Sequence, residues 1–103
     1  MSSKRASYIA YIEIAEQRLS SSRLKFENIK KRIDAAGVHQ PIDYSELLKK
    51  SVAQAEHHLH TAESRLERMK ANEDDCDEMA RWAFDRCRDD FAASIKNVVA
   101  RFC

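Results

Sequence analysis

The sequence predicts an all-α fold built from long amphipathic helices, and three observations carry that reading. The chain has 103 residues with a single Gly and a single Pro, too few of the residues on which sheets, hairpins and catalytic loops depend. Charged residues make up 34% and hydrophobic ones 44%, a balance too apolar for disorder and suited to helices with one buried stripe. Apolar residues also recur in alternating steps of four and three over most of the length, the spacing of a heptad seam.

The first predicted helix spans residues 4–36. Its seam runs Tyr8, Ile12, Ala15, Leu19, Ser22, Phe26, Ile29, Ile33 and Ala36, with only Ser22 polar. Ser7 offers a cap near its start, and Gly37 followed by Pro41 ends it. Residues 37–42 are the one stretch with clear loop chemistry. Asp43 with Glu46 three residues later then reads as a capping box that opens the second helix.

That second helix carries a seam of Leu48, Val52, Ala55, Leu59, Ala62, Leu66 and Met69. At residues 72–75 it meets Asn-Glu-Asp-Asp where the next apolar residue is due, and the pattern resumes at Cys76. From there it passes through Met79 or Ala80, Ala83 or Phe84, then Cys87, Phe91, Ile95, Val98 and Phe102. No Gly or Pro lies between Asn72 and Glu78. The preferred reading is therefore one continuous helix over residues 43–102, about 90 Å long, paired with the first as a long antiparallel hairpin. Such a hairpin leaves apolar surface uncovered and must dimerise or pack on another segment. The alternative starts a third helix at Asn72 or Asp74 and folds three helices of about thirty residues into a compact bundle.

Net charge is +1, from 18 basic and 17 acidic residues, so the total points to no polyanionic partner such as nucleic acid. The distribution is uneven. Residues 1–36 carry eight basic and four acidic side chains, and residues 72–103 carry five and eight. Basic residues gather toward the predicted hairpin tip: Arg23, Lys25, Lys30, Lys31 and Arg32 run into it, and Lys49 and Lys50 leave it. This cluster is the candidate contact for anionic lipid headgroups, each basic residue contributing about 1 kcal/mol near such a surface.

Other residues carry little chemistry. His57, His58 and His60 lie within one turn, but no third and fourth zinc ligands converge on them. Acidic pairs such as Asp74 with Asp77 and Asp85 with Asp89 have the spacing of any charged helix face, and no glycine-rich phosphate loop or nucleophile motif is present. The sequence thus predicts no enzyme, no metal, no cofactor and no small-molecule substrate. Cys76, Cys87 and Cys103 make neither an even set nor a CxxC pair, so a reduced, cytoplasmic chain is expected. Cys76 and Cys87, eleven residues apart on one helix, are too distant to bridge and read as small buried hydrophobes. Trp82, with Phe84 and Phe91, sits in acidic surroundings and reads as packing at a helix crossing or dimer interface.

A helix of about thirty residues, a basic tip and a helix of about sixty resemble the second and third helices of the carboxy-terminal BAR domain of Vps5-like sorting nexins. The local wording is similar too: Arg65-Leu-Glu-Arg-Met, then Asp77-Glu-Met-Ala-Arg-Trp, then Arg86-Cys-Arg-Asp-Asp-Phe, with Ser22-Arg23-Leu-Lys-Phe-Glu in the helix before. The interval from Arg86 to Phe91 is one residue longer than the usual form, and the chain carries neither a PX domain nor a first BAR helix. The resemblance implies a piece of a larger protein that forms a homo- or heterodimer, senses or imposes curvature and works peripherally on endosomal membranes in protein transport. It would bind phosphoinositide or other anionic phospholipid through Arg23, Lys25, Lys30, Lys31, Arg32, Lys49 and Lys50. The implied dimer seam draws on Trp82, Phe84, Phe91, Ile95 and Val98. The competing expectation is a spectrin-like or coiled-coil module that binds protein and no lipid, and a break at residues 72–75 favours it.

Overall fold

A computed structural model describes the backbone of residues 2–36 and 42–102 and the side chains of residues 6–35 and 46–101. All the regular structure among them is helical: α1 (Ser2–Ala36), α2 (Ile42–Ala71) and α3 (Glu78–Phe102), with a short 3₁₀ turn at Glu73–Asp75. The helices run up, down and up as a rod of 59 × 19 × 19 Å. The expected loop at 37–42 falls outside the described residues except for Ile42, which is already helical, and so does the Asp43 side chain of the capping box. Because α1 begins at Ser2, Ser7 lies inside the helix and is not its cap.

The continuous helix over residues 43–102 is not formed. The chain reverses between Ala71 and Glu78, so the longest helices have 35 and 30 residues. A reversal without Gly or Pro is possible here because it spends six residues and enters no left-handed conformation: no described residue has a positive φ. Asn72 is extended (φ −146°, ψ 117°) and accepts the Asp74 amide on its side-chain oxygen at 3.0 Å. The amides of Asp75 and Cys76 donate to the carbonyls of Asn72 and Glu73, each at 3.0 Å. Asp77 then caps α3, its Oδ1 accepting the Ala80 amide at 2.8 Å. The residues that looked like polar intruders in a seam are the hydrogen-bonding groups of an elbow.

Once folded back, the three seams meet. Ala15, Leu19 and Phe26 of α1, Leu48, Ala55, Leu59, Ala62, Leu66 and Met69 of α2, and Phe84, Phe91, Ile95 and Val98 of α3 form one core, plugged at the elbow by Cys76. Phe26, Phe84, Phe91, Met69 and Val98 are wholly enclosed, and Phe26 meets Phe91 edge to face with ring centroids 5.5 Å apart. Between the alternatives the periodicity left open, Phe84 is buried rather than Ala83, and Ala80 packs inward while Met79 points to solvent. Small buried residues at Ser51, Ala55 and Ala62 let α2 lie close to α3.

Register between α1 and α2 is set by a ladder of ion pairs. Glu16 meets Lys70 at 2.6 Å, Arg23 meets Glu63 at 3.6 Å and Lys30 meets Glu56 at 3.3 Å. Each rung is seven residues from the next on both helices. Half-exposed pairs of this kind contribute about 0–1 kcal/mol each, so the ladder selects register more than it adds stability.

Candidate interaction surfaces

Two tyrosines, Tyr8 from the predicted seam and Tyr11, which no sequence pattern singled out, hold the elbow from both sides. The Tyr8 hydroxyl donates to the Met69 carbonyl at 2.7 Å, with that of Lys70 at 3.2 Å, and so satisfies the last turn of α2. The Tyr11 hydroxyl lies 3.1 Å from both the Arg81 carbonyl and Oδ1 of Asp85 on the first turns of α3. The Arg81 guanidinium covers its ring at 4.8 Å. Burial, then the Asp85 carboxylate, pushes the Tyr11 hydroxyl well above the usual phenol range.

The folded chain therefore keeps the Tyr11 proton at pH values where the unfolded chain, titrating near 10, has lost it. That contribution is complete below about pH 10 and declines as pH rises further. We expect unfolding free energy to fall above pH 10 with a slope of at most about 1.4 kcal/mol per pH unit from this group, lessened by its partial exposure. Tyr11→Phe should show a shallower decline in denaturant titrations over the same range.

The basic residues divide into two sets. Arg23 is taken up by Glu63 and Glu27, and Lys30 by Glu56 with the Phe26 ring 4.9 Å from its ammonium. Lys25, Lys31, Arg32, Lys49 and Lys50 are exposed near the end of the rod where α1 finishes and α2 starts. Lys31 and Lys49 border an open groove of about 810 Å³ floored by Ile33, Leu48 and Val52, and Glu27, Asp34 and Glu56 border it too. The groove is of mixed charge, with Lys30, Lys31 and Lys49 set against Glu27, Asp34 and Glu56.

The residues expected at a dimer seam also divide. Phe84, Phe91, Ile95 and Val98 serve the chain's own core, because the elbow turns α3 back beneath α1 and α2. Trp82 does not. It is 63% exposed, with Met79 one turn before it 77% exposed and the Arg86 guanidinium 5.8 Å from its ring centroid. Met, Trp and Arg are the residue types that protein interfaces favour.

His57 and His60 are exposed and His58 is half-buried, the rings of His57 and His58 meeting edge to face at 5.8 Å. Among the described residues no three His, Cys, Asp or Glu side chains are grouped to hold a metal ion, and no helix is long and apolar enough to cross a membrane. Cys76 and Cys87 are free thiols, the first buried and the second half-buried. No family model, curated protein or solved structure matches the chain. The class that the geometry defines is an all-α, three-helix antiparallel bundle whose core lies within one chain, with Met79 and Trp82 exposed on α3.

Proposed function

We propose that this chain is a helical protein-interaction module of spectrin-like form, which docks a partner on the outer face of α3 through Met79, Trp82 and Arg86. One observation carries the reading: the core closes within a single chain, yet two of its largest apolar side chains stay in water on the same turn of α3. Residues that neither fill the core nor satisfy a backbone group are free to serve recognition. If so, the double variant Met79→Ala with Trp82→Ala melts within about 0.5 kcal/mol of the parent, as solvent-facing substitutions do. Trp82, the chain's lone tryptophan, should be open to aqueous quenchers in the free protein. A loss of several kcal/mol, or a shielded tryptophan in the monomer, would make these side chains structural and defeat the reading.

A second reading is contact with an anionic membrane through the basic end, in keeping with the sorting nexin resemblance. The exposure of Lys25, Lys31, Arg32, Lys49 and Lys50 favours it. Curvature generated by a dimer of sixty-residue helices has no support in three helices of 25 to 35 residues, so this reading reduces to surface attachment on endosomal or other anionic membranes. It requires salt-sensitive sedimentation with vesicles rich in anionic lipid, weakened at least tenfold by reversing Lys31, Arg32 and Lys49 to Glu. Binding that ignores both salt and charge reversal would exclude it.

A further inference from the structure

The outer face of α3 carries an exposed stripe that the core does not use, with Met79 and Trp82 as its large apolar members. Met79, Trp82, Arg86, Asp89, Ala93, Lys96 and Ala100 follow one another in alternating steps of three and four, and every one of them is exposed. The two halves of this face differ. The first half holds the large side chains Met79 and Trp82 beside an elbow whose residues 73–78 include Glu73, Asp74, Asp75, Asp77 and Glu78. The second half holds the small Ala93 and Ala100 with Lys96 and Arg101, and no acidic residue follows Asp90.

We propose that the partner on this face is a second copy of the same chain, its α3 antiparallel to the first across a two-fold axis. The proposal rests on the interaction-module reading and names its partner. A two-fold interface must be self-complementary, each patch meeting the other half of itself. Antiparallel pairing satisfies that in shape, by laying the large half of each face on the small half of the other. It satisfies it in charge, by setting each acidic elbow toward the Lys96 and Arg101 end of the other copy.

One register stands out. With Trp82 opposite Ala93 of the second copy, Arg86 stands opposite Asp89 and Asp89 opposite Arg86, two identical ion pairs flanking the axis. A slip of seven residues one way opposes Arg86 to Lys96, like charge on like. A slip the other way shortens the overlap and sets Met79 against Asp89. Parallel pairing in register places Arg86 on Arg86 and Asp89 on Asp89. The favoured overlap, from Met79 to Lys96, is about 26 Å long. A helix pair of that length belongs at the small end of specific interfaces, below about 1,200 Å² in all, the class of weak and transient associations.

Sedimentation equilibrium of the full chain from about 10 to 500 μM tests this. The expected result is a monomer–dimer equilibrium across that range, accompanied by shielding of Trp82 from quenchers. Arg86→Asp alone and Asp89→Arg alone each place like charges at both symmetric contacts and should weaken association at least tenfold. The double variant exchanges the pair and should recover to within about threefold of the parent. A chain that stays monomeric to 500 μM, or a double variant as weak as either single one, overturns the proposal. A monomer whose Met79→Ala, Trp82→Ala variant melts with the parent leaves the interaction reading standing while self-pairing falls; a destabilised variant defeats the interaction reading itself.

Discussion

Phe91→Ala is expected to remove about 3–5 kcal/mol of stability, because it empties a fully enclosed site at the centre of the bundle and leaves Phe26 without its edge-to-face partner. In a domain of about a hundred residues that is a large share of the whole, and the melting temperature should fall by roughly 15–30 °C. The effect must appear in the monomer, at concentrations where no second chain is bound. This separates the structure from the hairpin expected on the periodicity, in which Phe91 lines a seam between chains and its loss shows chiefly as weakened dimerisation. Thermal unfolding at low micromolar concentration decides between them: a small shift in the monomer would mean that α1 does not cover Phe91.

The second large difference concerns Glu73→Pro. Within a continuous helix a proline at this position would lose a hydrogen bond and clash with the preceding turn, at about 3 kcal/mol or more. At the elbow Glu73 opens the 3₁₀ turn, whose backbone hydrogen bonds are donated by the amides of Asp75 and Cys76, while the Asn72 amide closes α2 on the Arg68 carbonyl; the Glu73 amide is not among these donors. Asn72 already has the extended conformation that a residue before proline prefers. The variant should therefore melt at or slightly above the parent temperature, gaining up to about 1 kcal/mol from a stiffer unfolded chain. Destabilisation on the helix-interior scale, measured by denaturant titration, would place residue 73 inside a helix.

These two sites mark how far the sequence could be read. The heptad seams of α1 and α2 were legible because nearly every position from Tyr8 to Met69 obeys one spacing, and burial follows it closely. The reversal was not legible, since it contains neither Gly nor Pro. This elbow is built instead from an extended Asn72, three acidic residues in a 3₁₀ turn and an Asp77 cap, all in conformations open to any L-residue. The signal was present in the cluster Asn-Glu-Asp-Asp-Cys-Asp, where Asn and Asp favour caps over helix interiors.

What could not be read followed from that one choice. With α3 extended away from α1, neither the hydroxyl contacts of Tyr8 and Tyr11 nor the burial of Phe84, Phe91, Ile95 and Val98 within one chain could be anticipated. The ion-pair ladder was half visible. Glu16, Arg23 and Lys30 repeat every seven residues, as do Glu56, Glu63 and Lys70, but only antiparallel packing shows that they oppose one another. The basic tip was evident in the sequence, whereas Trp82 read as packing at a helix crossing or dimer interface and is exposed. The division of the basic residues, five exposed and two drawn into the ladder among the described residues, is a property of the fold.

The central claim is that one chain folds on itself about the elbow, closing its core and leaving the outer face of α3 for a partner. Small-angle X-ray scattering extrapolated to zero concentration measures this most directly, because self-pairing then makes no contribution. The bundle predicts the mass of one chain, a radius of gyration near 16.4 Å and a longest dimension close to 59 Å. A particle longer than about 90 Å, the span of an unbroken sixty-residue helix, would contradict it.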